Sequence, residues 1–71
     1  MKPAEIRAAK ARLDTTWARM ARALGIAEVT AKKYASGERR IPERIADGVA
    51  ALLARREREL ALRAEADRLA L

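Results

Sequence analysis

Apolar residues recur at helical spacing through the first half of the chain, in short stretches divided by polar or helix-breaking positions. Ile6, Ala9 and Leu13 stand at i, i+3 and i+7 and predict one buried stripe for a helix over residues 4–12. Pro3 suits the first turn of that helix, where its missing N–H costs nothing. Arg7, Lys10 and Arg12 fall off the stripe. Asp14 and Thr15 interrupt the pattern, and Thr16 is a good N-cap for a second helix that runs to Leu24 and buries Met20, Ala21 and Leu24.

Gly25 follows where a left-handed residue closes a helix, and Ile26 can plug the turn into the core. Ala21, four residues earlier, offers a small side chain where two steeply crossing helices approach. A third helix is predicted from Glu28 to Ala35. Ala31 and Tyr34 lie on its inner face; Glu28, Val29, Lys32 and Lys33 lie on or near the outer one. Ser36-Gly37 stops it, Glu38-Arg39-Arg40 forms a polar loop, and Ile41-Pro42 opens a last helix with proline in its first turn. Ile45, Val49, Leu52 and Leu53 form the stripe that closes a four-helix core, and Gly48 within it is tolerable at a cost of about 1 kcal/mol.

Beyond Arg55 the pattern loosens. Leu60, Leu62, Leu69 and Leu71 persist without a clean heptad, and Glu59 with Arg55 and Arg63, and Asp67 with Arg63, stand at pairing distance for a solvated helix. The expected architecture is therefore all-α: a helical domain over residues 1–54 and a helical extension over residues 55–71 for dimerisation or partner docking. The leucines Leu53, Leu60, Leu62 and Leu69 are the expected dimerisation residues.

Composition narrows the functional classes. In 71 residues, 51% are apolar but only 3% aromatic. The core is thin, so self-association is expected from size alone. There is no cysteine or histidine, which removes thiolate nucleophiles, imidazole bases and the usual zinc sets. With no carboxylate pair in an evident pocket, neither an enzyme nor a bound cofactor or metal is expected. No apolar run approaches the roughly 20 residues of a membrane span. Residues 1–6 lack the apolar region of a signal peptide, so a cytoplasmic protein with no membrane partner is the expectation.

The net charge of +6 is unevenly placed. Residues 1–40 hold ten Lys or Arg against four acids, hence +6, whereas residues 41–71 hold six of each, hence zero. A polyanion-binding half followed by a neutral packing half is the simplest reading. A helix can enter the major groove of double-stranded DNA and present side chains to base edges. Lysine suits guanine O6 and N7, glutamate accepts from cytosine N4, and valine can touch a thymine methyl. Lys32, Lys33, Glu28 and Val29 offer these types on one helix. The competing readings are solvated lysines and a Glu28 that merely favours its helix terminus. Arg19 before that helix, and Ser36, the Gly37 backbone, Arg39 and Arg40 after it, are the candidate phosphate ligands.

The segment from Thr16 to Pro42 resembles the helix-turn-helix of the phage repressor/Cro family. Three features carry the likeness: the Ala21/Gly25 pair, the Leu24-Gly25-Ile26 turn, and the run Tyr34-Ala35-Ser36-Gly37-Glu38-Arg39-Arg40-Ile41-Pro42. The last is similar to the family's aromatic-x-Ser-Gly-x-Arg-x-Ile-Pro closure of its recognition helix. The likeness covers residues 4–54. It implies base contacts from Glu28, Val29, Lys32 and Lys33, and phosphate contacts from Ser36, Arg39, Arg40 and the Thr16/Trp17 region. Three positions depart from the pattern. Trp17 stands where the family often has a phosphate-binding glutamine; its indole can donate to phosphate or pack under the first helix. Ala27 forfeits the usual cap of the third helix, at about 1 kcal/mol. Ala31 replaces a larger aliphatic residue. The resemblance implies a transcriptional repressor, by analogy an autorepressor of a phage or mobile element, bound as a homodimer to an operator. The alternative is the antitoxin of a toxin–antitoxin pair, whose helical tail docks a protein partner.

Overall fold

The computed structural model describes residues 1–70, and among them the chain folds into four helices without strands. These are α1 (Pro3–Arg12), α2 (Trp17–Leu24), α3 (Glu28–Ser36) and α4 (Glu43–Leu69). The all-α expectation therefore holds, with boundaries displaced by a residue or so. Pro3 begins α1, α3 continues through Ser36, and Pro42 precedes α4 as its cap instead of entering the first turn. An extended Pro42 (φ −64°, ψ 152°) delivers the chain into α4 just after Ile41 has been buried.

The turns explain why the helices end where they do. After α1 the amide of Thr15 donates to Lys10 O (3.4 Å) and that of Asp14 to Ala11 O (3.1 Å). After α2 the amide of Ile26 donates to Ala21 O (3.0 Å) and that of Gly25 to Arg22 O (3.2 Å). Both are Schellman closures, in which one left-handed residue lets two late carbonyls find donors. Gly25 fills that position after α2 at φ 72°; Asp14 fills it after α1 at φ 50°. Asp14, in sequence an interruption of the apolar stripe, is thus the residue that closes α1. Thr16 caps α2 as expected, its Oγ1 accepting from the Arg19 amide at 3.2 Å.

The core is built from small contributions: Ile6 and Ala9 of α1, Met20 and Ala21 of α2, Ala31, Tyr34 and Ala35 of α3, Ile41, and Ile45 and Val49 of α4. Leu13, Trp17, Leu24, Ile26 and Leu53 are partly buried around it. Leu24 and Leu52 were expected inside, yet both remain half-exposed. The covered part of Leu24 lies against Gly48, where an added Cβ would stand 2.9 Å from Leu24 Cδ2. The glycine is a seat for that leucine at the α2–α4 contact, beyond being a tolerated weak helix former.

Helix α3 packs against α2 and α1, while α4 closes over α1 and α2. Arg7, expected simply off the apolar stripe, reaches from α1 to donate to Ala35 O. That carbonyl lies in the last turn of α3, where no intrahelical amide is left to serve it. At about 1.5 Å per residue, the 27 residues of α4 run about 40 Å, which accounts for the 49 × 19 × 18 Å shape. Arg12 on α1 pairs with Glu57 on α4 at 2.7 Å where the extension leaves the domain. Residues 57–70 are all exposed.

Candidate nucleic-acid interface

Three inward residues, Ala31, Tyr34 and Ala35, seat α3 on the domain and leave its opposite side in solvent. At 3.6 residues per turn, Val29 and Ser36 fall near the centre of that outer side, with Lys32 and Lys33 flanking them and Glu28 at its rim. All five are exposed; Val29, at 59%, is the apolar residue among them. Ala27 stands at the N-cap of the helix, and its side chain supplies no cap. Glu28 instead places a carboxylate in the first turn, next to the unpaired amides. The same carboxylate accepts an ion pair from Lys32 Nζ at 3.5 Å. Glu28 and Lys32 thus neutralise each other in the free protein.

The loop after α3 is organised by its own hydrogen bonds. Gly37 adopts φ 82° and its amide donates to Tyr34 O at 3.3 Å. Ser36 Oγ donates to Lys33 O (3.1 Å) and accepts from the Glu38 amide (3.4 Å), and the Arg39 amide donates to Lys33 O (3.3 Å). The Gly37 amide and the Ser36 hydroxyl proton, both expected to meet phosphate, are thus already engaged inside the protein. What this closure does is hold Arg39 and Arg40, both exposed, beyond the end of α3.

Among the remaining candidates, Thr16 Oγ1 accepts in the cap of α2, which leaves its hydroxyl proton to donate elsewhere, and Arg19 is exposed in the first turn of that helix. Trp17 is half-buried and packed against the core, and Lys10 Nζ lies 5.3 Å from the centre of its ring. Its indole body is thus a packing element first. Lys2, which the sequence reading passed over, lines a surface hollow of about 530 Å³ together with Arg40, Ile41 and Glu43. Only the fold joins Lys2 to that loop, 38 positions further along the chain; no local pattern could have signalled it.

The extension does not gather its leucines. Positions seven apart share a helix face and positions two apart do not. Leu53 and Leu60 therefore lie on one side of α4, and Leu62 and Leu69 on nearly the opposite side. Leu53 packs partly against the core, while Leu60, Leu62 and Leu69 are 46%, 61% and 83% exposed. Leu71 lies outside the described residues. Arg55 pairs with Glu59 at 3.3 Å; the expected pairs of Arg63 with Glu59 and Asp67 are not formed among the described residues, whereas the unforeseen Arg12–Glu57 pair is.

Among the described residues there is no group of three or more acidic side chains placed to hold a metal ion, and no helix long and apolar enough to cross a membrane. No family model, curated protein or solved structure matches the chain.

Proposed function

We propose that this protein is a sequence-specific DNA-binding transcriptional regulator of the phage repressor/Cro type, acting as a repressor and as a homodimer. One observation carries the reading: α3 is fixed to the domain along one side and presents Val29, Lys32, Lys33 and Glu28 along the other, with Arg39 and Arg40 just past its end. A short exposed helix bearing cations and one apolar contact suits the major groove, where base edges are read by such side chains. The flanking arginines suit the phosphates that fix register. The chain's positive excess, confined to residues 1–40, supports the same surface. In a homodimer, one α3 from each copy would enter half-sites about one helical turn apart. Covering a promoter in this way would block transcription by occupancy alone.

Titration of the full chain with mixed genomic duplex fragments at low ionic strength tests this reading. A complex at or below micromolar protein is expected, and selection from a randomised duplex pool should return a consensus with two-fold symmetry. Lys33→Ala should weaken binding to that consensus by about 1–3 kcal/mol and relax the preference at one base position. The absence of any complex sinks the proposal.

The exposed leucines of α4 favour a second reading, the antitoxin, in which residues 55–71 dock a toxin while the same α3 surface binds DNA. In that case the isolated protein should bind DNA, and a tail deletion should abolish toxin neutralisation while sparing DNA contacts.

A further inference from the structure

The outer side of α3 contains its own counter-charge. Glu28 is the one acid on that helix, and its carboxylate, half-exposed, sits 3.5 Å from Lys32 Nζ. By sequence alone Glu28 is either a base reader or a helix-terminal charge, and Lys32 an independent cation. The ion pair makes the two a single element. While it is closed, Lys33 is the uncommitted cation on the outer side of α3, and a generic duplex, which offers chiefly phosphates, gains little by opening it. A cytosine N4 amino group changes the balance. It donates to the Glu28 carboxylate, and the guanine paired with that cytosine, or a guanine one step away, offers O6 and N7 to the released ammonium.

We propose that the Glu28–Lys32 pair is a selectivity element, closed against phosphate and opened by a C·G pair in the major groove. Glu28 is then the residue that determines specificity, and its contribution is larger to discrimination than to affinity. Ion pairs this exposed are weak, so the selectivity comes from where the carboxylate is left: a cytosine N4 amino group gives Glu28 a donor, whereas phosphate leaves it facing like charge. On unrelated sequence, by contrast, Glu28 repels the backbone and withholds one cation from it.

The inference rests on the DNA-binding reading, and the experiment separates the two. Wild type, Glu28→Gln, and the double variant Glu28→Gln with Lys32→Gln are each carried through selection from a randomised duplex pool. Each is then titrated against the wild-type consensus and an unrelated duplex across a salt series. Circular dichroism checks that α3 survives the loss of its first-turn charge. Glu28→Gln should lose the C·G preference at one position of the consensus and keep the position governed by Lys33. It should also bind the unrelated duplex several-fold more tightly, with a salt slope steeper by about 0.9, the value of one added phosphate contact. The ratio of consensus to unrelated affinity should fall roughly tenfold. The double variant should return the unrelated-duplex slope to the wild-type value. An unchanged consensus and an unchanged affinity ratio in Glu28→Gln would overturn the selectivity element while leaving the DNA reading intact. Failure of the wild type to bind either duplex overturns both.

Discussion

Asp14 is the residue this fold should most readily give up. It occupies the left-handed position of the α1 closure at φ 50°, whereas the matching position after α2 is glycine at φ 72°. A side chain in that region costs up to about 1–2 kcal/mol relative to glycine, and less for aspartate than for bulkier residues. Its carboxylate also stands just past the C-terminus of α1, at the negative end of the helix dipole, a penalty of about 0.3–1 kcal/mol. Replacement by glycine relieves both but enlarges the unfolded ensemble, which returns about 0.4–1 kcal/mol. The net expectation for Asp14→Gly is a gain of about 1 kcal/mol; for Asp14→Asn, which removes the charge alone, about 0.5 kcal/mol. In a chain of this size, 1 kcal/mol moves Tm by about 4–8 °C. Thermal unfolding followed by circular dichroism at fixed protein concentration reads both variants. Asp14 lies outside α3 and the loop after it, so on the proposed DNA-binding reading each variant should select the same duplex consensus as the wild type. Should Asp14→Gly melt at or below the wild-type temperature, the account of this closure is wrong.

Three further outcomes follow from the same contacts. Arg7→Met should keep the packing of the arginine stem but leave Ala35 O without its donor, lowering stability by about 1–2 kcal/mol in urea or thermal unfolding. Gly48→Ala should gain about 1 kcal/mol of helix propensity when Leu24 is also alanine, and less when Leu24 is present, because Leu24 Cδ2, 2.9 Å from the new Cβ, must turn aside. A double-mutant cycle on thermal stability measures the difference, and additivity would refute the contact. On the proposed DNA-binding reading, replacing Arg39 and Arg40 together by alanine should weaken binding to all duplexes alike and flatten the salt dependence by roughly two phosphate equivalents. An unaltered slope would remove both arginines from the interface.

The element boundaries were legible because their signals are local. Thr16 as a cap, Gly25 and Gly37 as left-handed closures, and the Ile6–Ala9 and Ile45–Val49 stripes each act within a turn or two of themselves. What escaped the sequence is mostly contact between segments far apart. Arg7 and Ala35 are 28 positions apart, and Arg12 and Glu57 are 45 apart. Nothing in the neighbourhood of Arg7 or Arg12 distinguishes them from solvated arginines. Gly48 escaped for a related reason, since propensity prices a glycine by its own helix and not by the leucine seated upon it. The candidate interface was legible in its membership but not in its couplings. Periodicity alone puts Glu28 and Lys32 on one side of α3; whether two exposed side chains four apart pair or stand free is set by rotamers that periodicity does not see.

Those couplings change how the cationic half should be understood. Residues 1–40 carry ten Lys or Arg, but four have partners within the protein: Arg7 with a carbonyl of α3, Lys10 with the Trp17 ring, Arg12 with Glu57, and Lys32 with Glu28. The first three tie α1 to α3, α2 and α4, so part of the positive excess is architectural. The core beside them holds few large side chains, and the alanines at Ala9, Ala21, Ala31 and Ala35 bring backbones close while burying little apolar area each. Close approach in turn is what keeps α3 pinned by two neighbours with its outer side open. The small residues that thin the core and the contacts that α1 makes with the other three helices are therefore two parts of one arrangement, in which α3 packs along one side and leaves the other in solvent.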